Sequence, residues 1–479
     1  MDDDLHYVGA GEALRRFRSK ELSPVELMQA VIARAEAVEP TINAFTLTFF
    51  EEALEEAGKA ADRYASGEDV RPLEGLPVAM KDEVPIAGQR WSQGSLIYQD
   101  LVADHTAPIA ERVLAAGGIV HARTTTPEFS CAGFTHTRLW GVTRNPWGQE
   151  WAVGGSSGGS GAALAAGTTT LASGSDIGGS IRIPASFNGV IGYKPPWGRV
   201  PVDPPFNLDT YCHDGPMGRT VADVALFENV IAGPHPNDHQ SLRPKVVLPD
   251  RFEGIEGWRV AVSPQLGDWV LDPEVEVNTL AAGDAFREAG AIVEEVDVAV
   301  KQADISRAAL VHFGVMFGKL VDDEVKRHPE LVMPYSAALA EWVAEALAET
   351  SLFEGLELEV KIQAELSRVL DTYDVLVCPT VTTRGLVAGD DYVDHGLEVG
   401  GVEVARYDEV LMTEPFNIAS RCPVLAVPSG FASNGIPTGI QIVARSYDDE
   451  RVFRAAAAYE RVRPWLDTPG RRPVVGVSS

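Results

Sequence analysis

Two clusters rich in glycine and serine constrain this chain more than any other stretch of it. They occupy residues 154–159 and 178–180, and the alanine-rich run 162–166 between them favours a helix. Glycine loses more backbone freedom on folding than any other residue, so an ordered segment this rich in glycine needs a compensating role. Turns that point several backbone amides at one anion or oxyanion would supply that role. A flexible linker is the weaker interpretation, because Asp176, Ile181 and Arg182 stand beside the second cluster.

The serines of these clusters indicate nucleophilic catalysis, but a serine hydroxyl reacts only when a neighbouring base takes its proton. Histidine is the usual base, and His136 and His213 lie near the clusters in sequence. Lys81 is the other candidate, because it follows the short apolar run 76–80 at what reads as a strand end. A lysine is protonated at neutral pH unless its surroundings lower its pKa. Residue types alone therefore leave both kinds of base open.

Three motifs together resemble the amidase signature family of serine hydrolases. The segment GLPVAMKD carries Lys81, the segment NPW followed by GGSSGGS carries Ser156, and GSDIGGSIRIPA carries Ser180. Further matches to the family pattern lie at 192–195, 215–223 and 373–380. The chain is therefore identified as a member of this family from about residue 60 to residue 460.

The resemblance implies a role for each of these motif residues. Ser180 would be the nucleophile, and Ser156, on a cis peptide bond, would pass its proton to Lys81, which acts as the general base. An amide nitrogen leaves only when it is protonated, and a bridging hydroxyl can deliver that proton. The oxyanion hole would be formed by four consecutive backbone amides, those of Ile177, Gly178, Gly179 and Ser180.

The resemblance also implies two outer groups of residues. The loop and the lysine would be fixed in place by Ser157, Asp176 and Arg182. The substrate pocket would be lined by Phe129, Ser130, Cys131, Trp197 and Arg199. Residues 383–412 lie where family members vary most, and they are expected to shape this pocket as well.

The predicted fold class is α/β, an amidase signature fold with a mixed central β-sheet of about ten or more strands covered by helices on both faces. Motifs of one family spread over 479 residues favour a single domain. Within it we expect a helical arm over 1–66, a catalytic core over 67–230 and the rest of the sheet with the pocket segments over 231–479. Local patterns predict helices at 24–38, 51–66 and 275–289, strands at 257–262 and 292–298, and a helical region over 300–370 broken at Pro334.

The composition limits the kinds of partner that this chain is expected to bind. The formal net charge is −29, from 69 acidic and 40 basic residues, which disfavours binding to nucleic acid or to an anionic membrane. The four cysteines show no CxxC pattern and are expected to be reduced thiols in a cytoplasmic protein. We expect a small-molecule amide or carbamate substrate, no cofactor and no metal; the acidic loop 390–394 is interpreted as solvated. The helical arm makes a homodimer one further expectation.

Three functions compete for this sequence. The preferred one is an amidase that hydrolyses small amides, anilides or carbamates, with urethanase or esterase side activity. The second is the glutaminase subunit of a tRNA amidotransferase, although residues 312–318 depart from that subunit's Gly-Phe-Gly segment and its paired arginines. The third is an α/β-hydrolase esterase, since residues 154–158 also fit G-x-S-x-G. A nucleophile elbow should follow a buried strand, however, and no convincing Asp-then-His order follows this motif.

Overall fold

The computed structural model describes residues 4–466 and 468–476 of the chain. Its strands are β1 Phe45–Thr48, β2 Pro77–Lys81, β3 Ile119–Thr124, β4 His136–Thr137, β5 Gly141–Val142, β6 Arg144–Asn145, β7 Gly148–Ala152, β8 Leu171–Asp176, β9 Ile191–Lys194, β10 His213–Gly218, β11 Arg259–Val262, β12 Ile292–Glu295, β13 Val375–Pro379, β14 Leu397–Val399, β15 Val402–Val404, β16 Val424–Phe431 and β17 Pro437–Val443. Its α-helices are α1 Ala10–Ser19, α2 Pro24–Ile42, α3 Phe50–Ser66, α4 Pro108–Ala115, α5 Gly158–Ala166, α6 Arg182–Asn188, α7 Val221–Ile231, α8 Pro273–Glu288, α9 Gln302–Val315, α10 Gly318–Arg327, α11 Pro334–Glu349, α12 Leu352–Thr372, α13 Pro415–Ile418 and α14 Asp449–Val462.

Within the described ranges, eleven strands form one sheet in the order β1-β3-β2-β8-β10-β9-β16-β17-β13-β11-β12. The pairs β2/β3, β2/β8, β11/β12 and β11/β13 are parallel, and the other pairs are antiparallel. The sheet is therefore mixed, and the predicted α/β class with ten or more strands is confirmed.

Alternate residues of one strand show how helices cover both faces of this sheet. In β13, Val375 and Val377 pack into a core formed with α7, α8 and α14. Leu376 and Cys378, one position along, pack into a core formed with α9, α11 and α12. Side chains of a strand alternate between faces, so these two cores lie on opposite sides of the sheet.

Local sequence signals explain where the helices begin and end. Ser23 and Glu26 form a capping box at the start of α2, whose first residue is Pro24. The helix ends at Ile42, four residues beyond the predicted Val38, and the next residue, Asn43, adopts φ 52°. Pro334 is the first residue of α11, so it breaks the helical region as predicted. Residues 415–418 form the short helix α13. In the described part of the chain, no helix is both long and apolar enough to cross a bilayer.

Candidate active site

Lys81 lies at the end of β2 with its side chain fully buried. Its Nζ donates hydrogen bonds to Ser156 Oγ at 2.7 Å and to Ser175 Oγ at 2.8 Å. Its backbone amide donates to Ser173 Oγ at 2.9 Å, so β8 fixes both ends of the residue. The structure thus brings together two of the three residues that the motifs nominate for proton transfer.

A carboxylate outside the predicted set completes the surroundings of the lysine. Glu83 Oε2 lies 3.0 Å from Lys81 Nζ and accepts a hydrogen bond from the Ser130 hydroxyl. Burial alone would raise the pKa of the Glu83 carboxyl, but the charge of Lys81 and the Ser130 hydrogen bond outweigh burial and hold the pKa below its ordinary value. Val84 N donates to Lys81 O at 3.0 Å, and this tight turn folds Glu83 back onto the lysine.

Ser156 lies in the loop between β7 and α5, and the peptide bond between Gly155 and Ser156 is cis. A Cβ at Gly155 would lie 2.4 Å from the Ala132 carbonyl oxygen, so close backbone packing requires glycine there. The next residue, Ser157, joins this loop to the nucleophile segment, because its amide donates to the Ser180 carbonyl oxygen at 3.1 Å. Ser180 itself is 8% exposed, which leaves it accessible from the cavities described below.

The segment 177–180 divides the four expected oxyanion donors into two kinds. The Gly179 amide donates to Asp176 Oδ1 at 3.0 Å, so it is already engaged. Within residues 4–466 and 468–476, the amides of Ile177, Gly178 and Ser180 donate to no protein acceptor. Three of the four amides expected to form the oxyanion hole therefore remain as its candidate donors.

Asp176 anchors this segment from beneath. Its carboxylate accepts two hydrogen bonds from the Arg182 guanidinium, at 3.0 and 2.8 Å, and one from Asn417 at 2.9 Å. Burial alone would raise the pKa of Asp176, but the Arg182 charge and these hydrogen bonds hold it far below its ordinary value. Arg182 also donates to Gln441 Oε1 at 2.6 Å, so the loop is tied to β17.

Two cavities meet at the candidate catalytic residues and share the walls Ser130, Ile177 and Phe317. The small cavity, of about 70 Å³, is lined by Gly178 and Ser180 and otherwise mainly by apolar side chains of α9, α11 and residues 407–414. The large cavity, of about 270 Å³, is lined by Ser156 and by apolar groups such as Trp91 and Phe206. The candidate nucleophile and the candidate bridging serine therefore open onto different cavities.

The predicted pocket residues divide between these cavities and the protein interior. Phe129 lines the large cavity, Cys131 the small one and Ser130 both. Trp197 and Arg199 line neither of these two cavities, so their place in the substrate pocket stays a prediction. The Arg199 guanidinium makes two hydrogen bonds to Asp449, at 2.8 and 2.7 Å, and is buried beneath α14. Trp197 is held by hydrogen bonds to Asp209 O and Ser420 O, at 3.1 and 3.0 Å.

The chain is similar along almost its whole length to proteins that act on amides. The sequence profile of the family described as Amidase matches residues 26–453. An acylamidase from Rhodococcus erythropolis is 34% identical over 478 residues, covering 97% of this chain and 98% of its own. A glutamyl-tRNA(Gln) amidotransferase subunit from Thermosynechococcus vestitus is 32% identical, covering 95% of this chain and 98% of its own. The crystal structure of a bacterial aryl acylamidase of the amidase signature family matches with a TM-score of 0.87 at 29% identity, covering 98% of this chain and 100% of its own.

The chain belongs to the amidase signature family. Its class of activity is accordingly that of an amidohydrolase. In this amidase no group of three or more His, Cys, Asp or Glu side chains within residues 4–466 and 468–476 is arranged to hold a metal ion.

The histidines considered as bases lie elsewhere in the amidase fold. His213 Nδ1 lies 2.7 Å from Tyr211 O and its Nε2 lies 3.1 Å from Ser420 O, so main-chain carbonyls occupy both nitrogens. Burial, followed by the Lys194 charge, lowers the pKa of His213 to about 3. His136 is stacked on Phe134 at 5.0 Å between ring centroids. Neither imidazole offers the base that a nucleophile elbow at Ser156 would require.

Three further residues, Ser175, Glu414 and Asn417, contact or face the site without having been predicted from the motifs. Ser175 had a detectable signal, because it stands next to Asp176 inside the nucleophile motif. Glu414 and Asn417 lie more than 225 residues beyond that motif, and only the folded chain brings them to it.

Proposed function

We propose that this chain hydrolyses the C–N bond of small amides, anilides or carbamates through an acyl- or carbamoyl-enzyme on Ser180. The observation that carries the proposal is the 2.7 Å contact between Lys81 Nζ and Ser156 Oγ, in a buried site joined to the Ser180 segment by Ser157. A serine held on a buried amine is the arrangement that a proton relay needs.

In the first step, Ser180 Oγ attacks the carbonyl carbon and gives its proton to Ser156, which passes its own proton to Lys81. The carbonyl oxygen becomes an oxyanion facing the amides of Ile177, Gly178 and Ser180. Lys81 must be neutral at this point, and the Glu83 carboxylate, 3.0 Å away, stabilises the ammonium that forms when Lys81 receives the proton.

In the second step, the proton returns along the same path. Ser156 donates its proton to the leaving nitrogen and takes one from Lys81, so the C–N bond breaks with departure of a neutral amine. Water then attacks the acyl-enzyme by the same relay and releases Ser180. Lys81 and the two serines end each cycle in the protonation states in which they began.

The two cavities support an assignment of the two halves of the substrate. The large cavity is lined by Ser156, which would protonate the nitrogen, so the amine portion belongs there. The small cavity is lined by Ser180 and Gly178, so the acyl portion belongs there. The lining of the large cavity by Trp91, Phe129 and Phe206 favours an aryl or apolar amine, as in anilides and aryl carbamates.

The test is hydrolysis by the purified chain alone. We expect release of p-nitroaniline from short-chain acyl p-nitroanilides, and a panel of matched aryl carbamates and aryl esters measures urethanase and esterase side activity. The same preparation examined by light scattering measures whether the chain forms a homodimer. Absence of turnover on every amide and carbamate would contradict the proposal.

A glutaminase subunit that supplies ammonia to a partner is the second candidate, and the resemblance to the amidotransferase subunit favours it. The departure of residues 312–318 from that subunit's Gly-Phe-Gly segment and paired arginines supports the first candidate. Glutaminase activity that requires an added second subunit, without anilide hydrolysis, would favour the second.

A further inference from the structure

The small cavity contains two carboxyl groups in very different states. Asp408 is paired with Arg406, which donates two hydrogen bonds to its carboxylate at 3.0 and 2.8 Å. Glu414 lines the same cavity and is 8% exposed, yet no group within residues 4–466 and 468–476 donates a hydrogen bond to its carboxyl. A buried carboxyl group without a partner is costly, so its position calls for an explanation.

Glu414 lies beside the expected oxyanion loop. A Cβ built on Gly178 would lie 4.0 Å from Glu414 Cγ, and Thr413, the preceding residue, donates a hydrogen bond from Oγ1 to Gly178 O at 2.5 Å. The carboxyl is therefore placed near the carbonyl carbon of a bound acyl group, within reach of a substituent on the first carbons of that group.

The other charges of this wall are already neutralised. The Arg406 guanidinium, besides pairing with Asp408, donates to Ser306 Oγ at 3.0 Å and lies 5.1 Å from the centre of the Trp342 ring. Burial, and then repulsion from Asp408, raises the pKa of the Glu414 carboxyl well above its ordinary value. The cavity wall thus presents a carboxyl group that an amino group of a ligand can bind.

From this geometry we infer that Glu414 is a specificity residue that binds an amino group on the acyl portion of the substrate, so that aminoacyl amides are preferred over simple acyl amides. This inference rests on the proposed function, because it assigns the acyl portion to the small cavity. A primary amine supplies the hydrogen-bond donors that Glu414 lacks, and a charge-assisted bond of this kind is stronger than a neutral one.

The test compares three p-nitroanilides that differ only at the carbon next to the carbonyl: propionyl, lactoyl and alanyl. We expect wild-type kcat/KM for the alanyl compound to exceed that for the propionyl compound by about tenfold or more. In Glu414→Gln and Glu414→Leu this ratio should fall to near one. Glu409→Gln removes a neighbouring acid that lines neither cavity, and it should leave the ratio unchanged.

A binding measurement separates this inference from the proposed function. Ser180→Ala protein cannot form the acyl-enzyme, and we expect it to bind alaninamide at least tenfold more tightly than propionamide, with the difference lost when Glu414→Gln is added. Failure of the wild type to cleave any anilide contradicts the proposed function, whereas the binding ratio still decides the role of Glu414. Equal binding of the two amides, a ratio that survives Glu414→Gln, or equal kcat/KM for lactoyl and alanyl compounds would each overturn the inference.

Discussion

The segment that holds Ser180 and two positions in the cavity walls differ in how the protein satisfies their carboxyl groups. Asp176, beneath the nucleophile segment, accepts hydrogen bonds from Arg182, Asn417 and two backbone amides. Glu414 in the small cavity and Asp214 in the large one receive none from residues 4–466 and 468–476. Groups saturated within the protein set geometry, whereas unsaturated groups facing a cavity are available to a ligand.

The first way to test this comparison is to remove the nucleophile from the catalytic side. Ser180→Ala should reduce kcat by a factor of about a thousand or more and abolish covalent labelling by a sulfonyl fluoride, because it removes the hydroxyl of the proposed nucleophile. Ser66→Ala, at the exposed end of α3, should change neither measurement. Full labelling of Ser180→Ala would show that the nucleophile is another residue.

The second prediction removes a carboxylate that the protein has saturated. Asp176→Ala should lower the free energy of unfolding by about 3–5 kcal/mol, because it leaves the fully buried Arg182 guanidinium without its counter-charge. Denaturant unfolding followed by circular dichroism measures the change. Asp284→Ala breaks the exposed pair with Arg287 and should have little effect. Equal effects of the two substitutions would mean that burial does not distinguish these ion pairs.

The difference between the two regions also explains what sequence could predict. Lys81, Ser156 and Ser180 each stand in an uninterrupted sequence motif. The elements next to them, β2, α5 and β8, follow local sequence patterns. The cavity walls are assembled from segments far apart in sequence, so no local pattern marks Glu414. The predictions for Trp197 and Arg199 rest on the family resemblance, and neither residue lines the two cavities described above. Glu83 lies two residues after Lys81 in sequence, but only the turn after β2 brings its carboxylate to the lysine amine.

A third prediction concerns His312, a residue of α9 that packs against Tyr211 and Asp209. His312 Nε2 lies 2.7 Å from Asp209 Oδ1, and its ring stacks on Tyr211 at 3.6 Å. Burial would lower the pKa of His312, but hydrogen bonds to Asp209 and Glu359 raise it to about 9. Since the folded value exceeds the unfolded value of 6.5, this stabilisation is complete below about pH 6.5 and is lost as pH rises through about 9.

His312→Gln should therefore lower the free energy of unfolding at pH 6 by about 1–3 kcal/mol, and by less at pH 10. Urea unfolding at the two pH values provides the measurement. His239→Gln, at an exposed histidine, serves as the control and should show no such dependence. A destabilisation by His312→Gln that is the same at pH 6 and pH 10 would contradict a charged His312.

The smallest expected effect lies where the two regions meet, at Glu83. Activity should rise with pH, because the proposed relay needs Lys81 neutral. Glu83 lies 3.0 Å from the amine and, as a carboxylate, favours its charged form. Glu83→Gln keeps the shape and removes the charge, so the rising limb of kcat/KM should move to lower pH.

Asp203→Asn is the matched control for this shift, because Asp203 lines the large cavity but pairs with His105 at 3.0 Å instead of Lys81. Asp203→Asn should leave the rising limb of the kcat/KM profile at the same pH as in the wild type. A residue that only supports the fold would change the amplitude of the pH profile and not its position. A Glu83→Gln profile that is lower but unshifted would therefore mean that Glu83 only supports the fold, as Asp176 does, and does not influence the charge of Lys81.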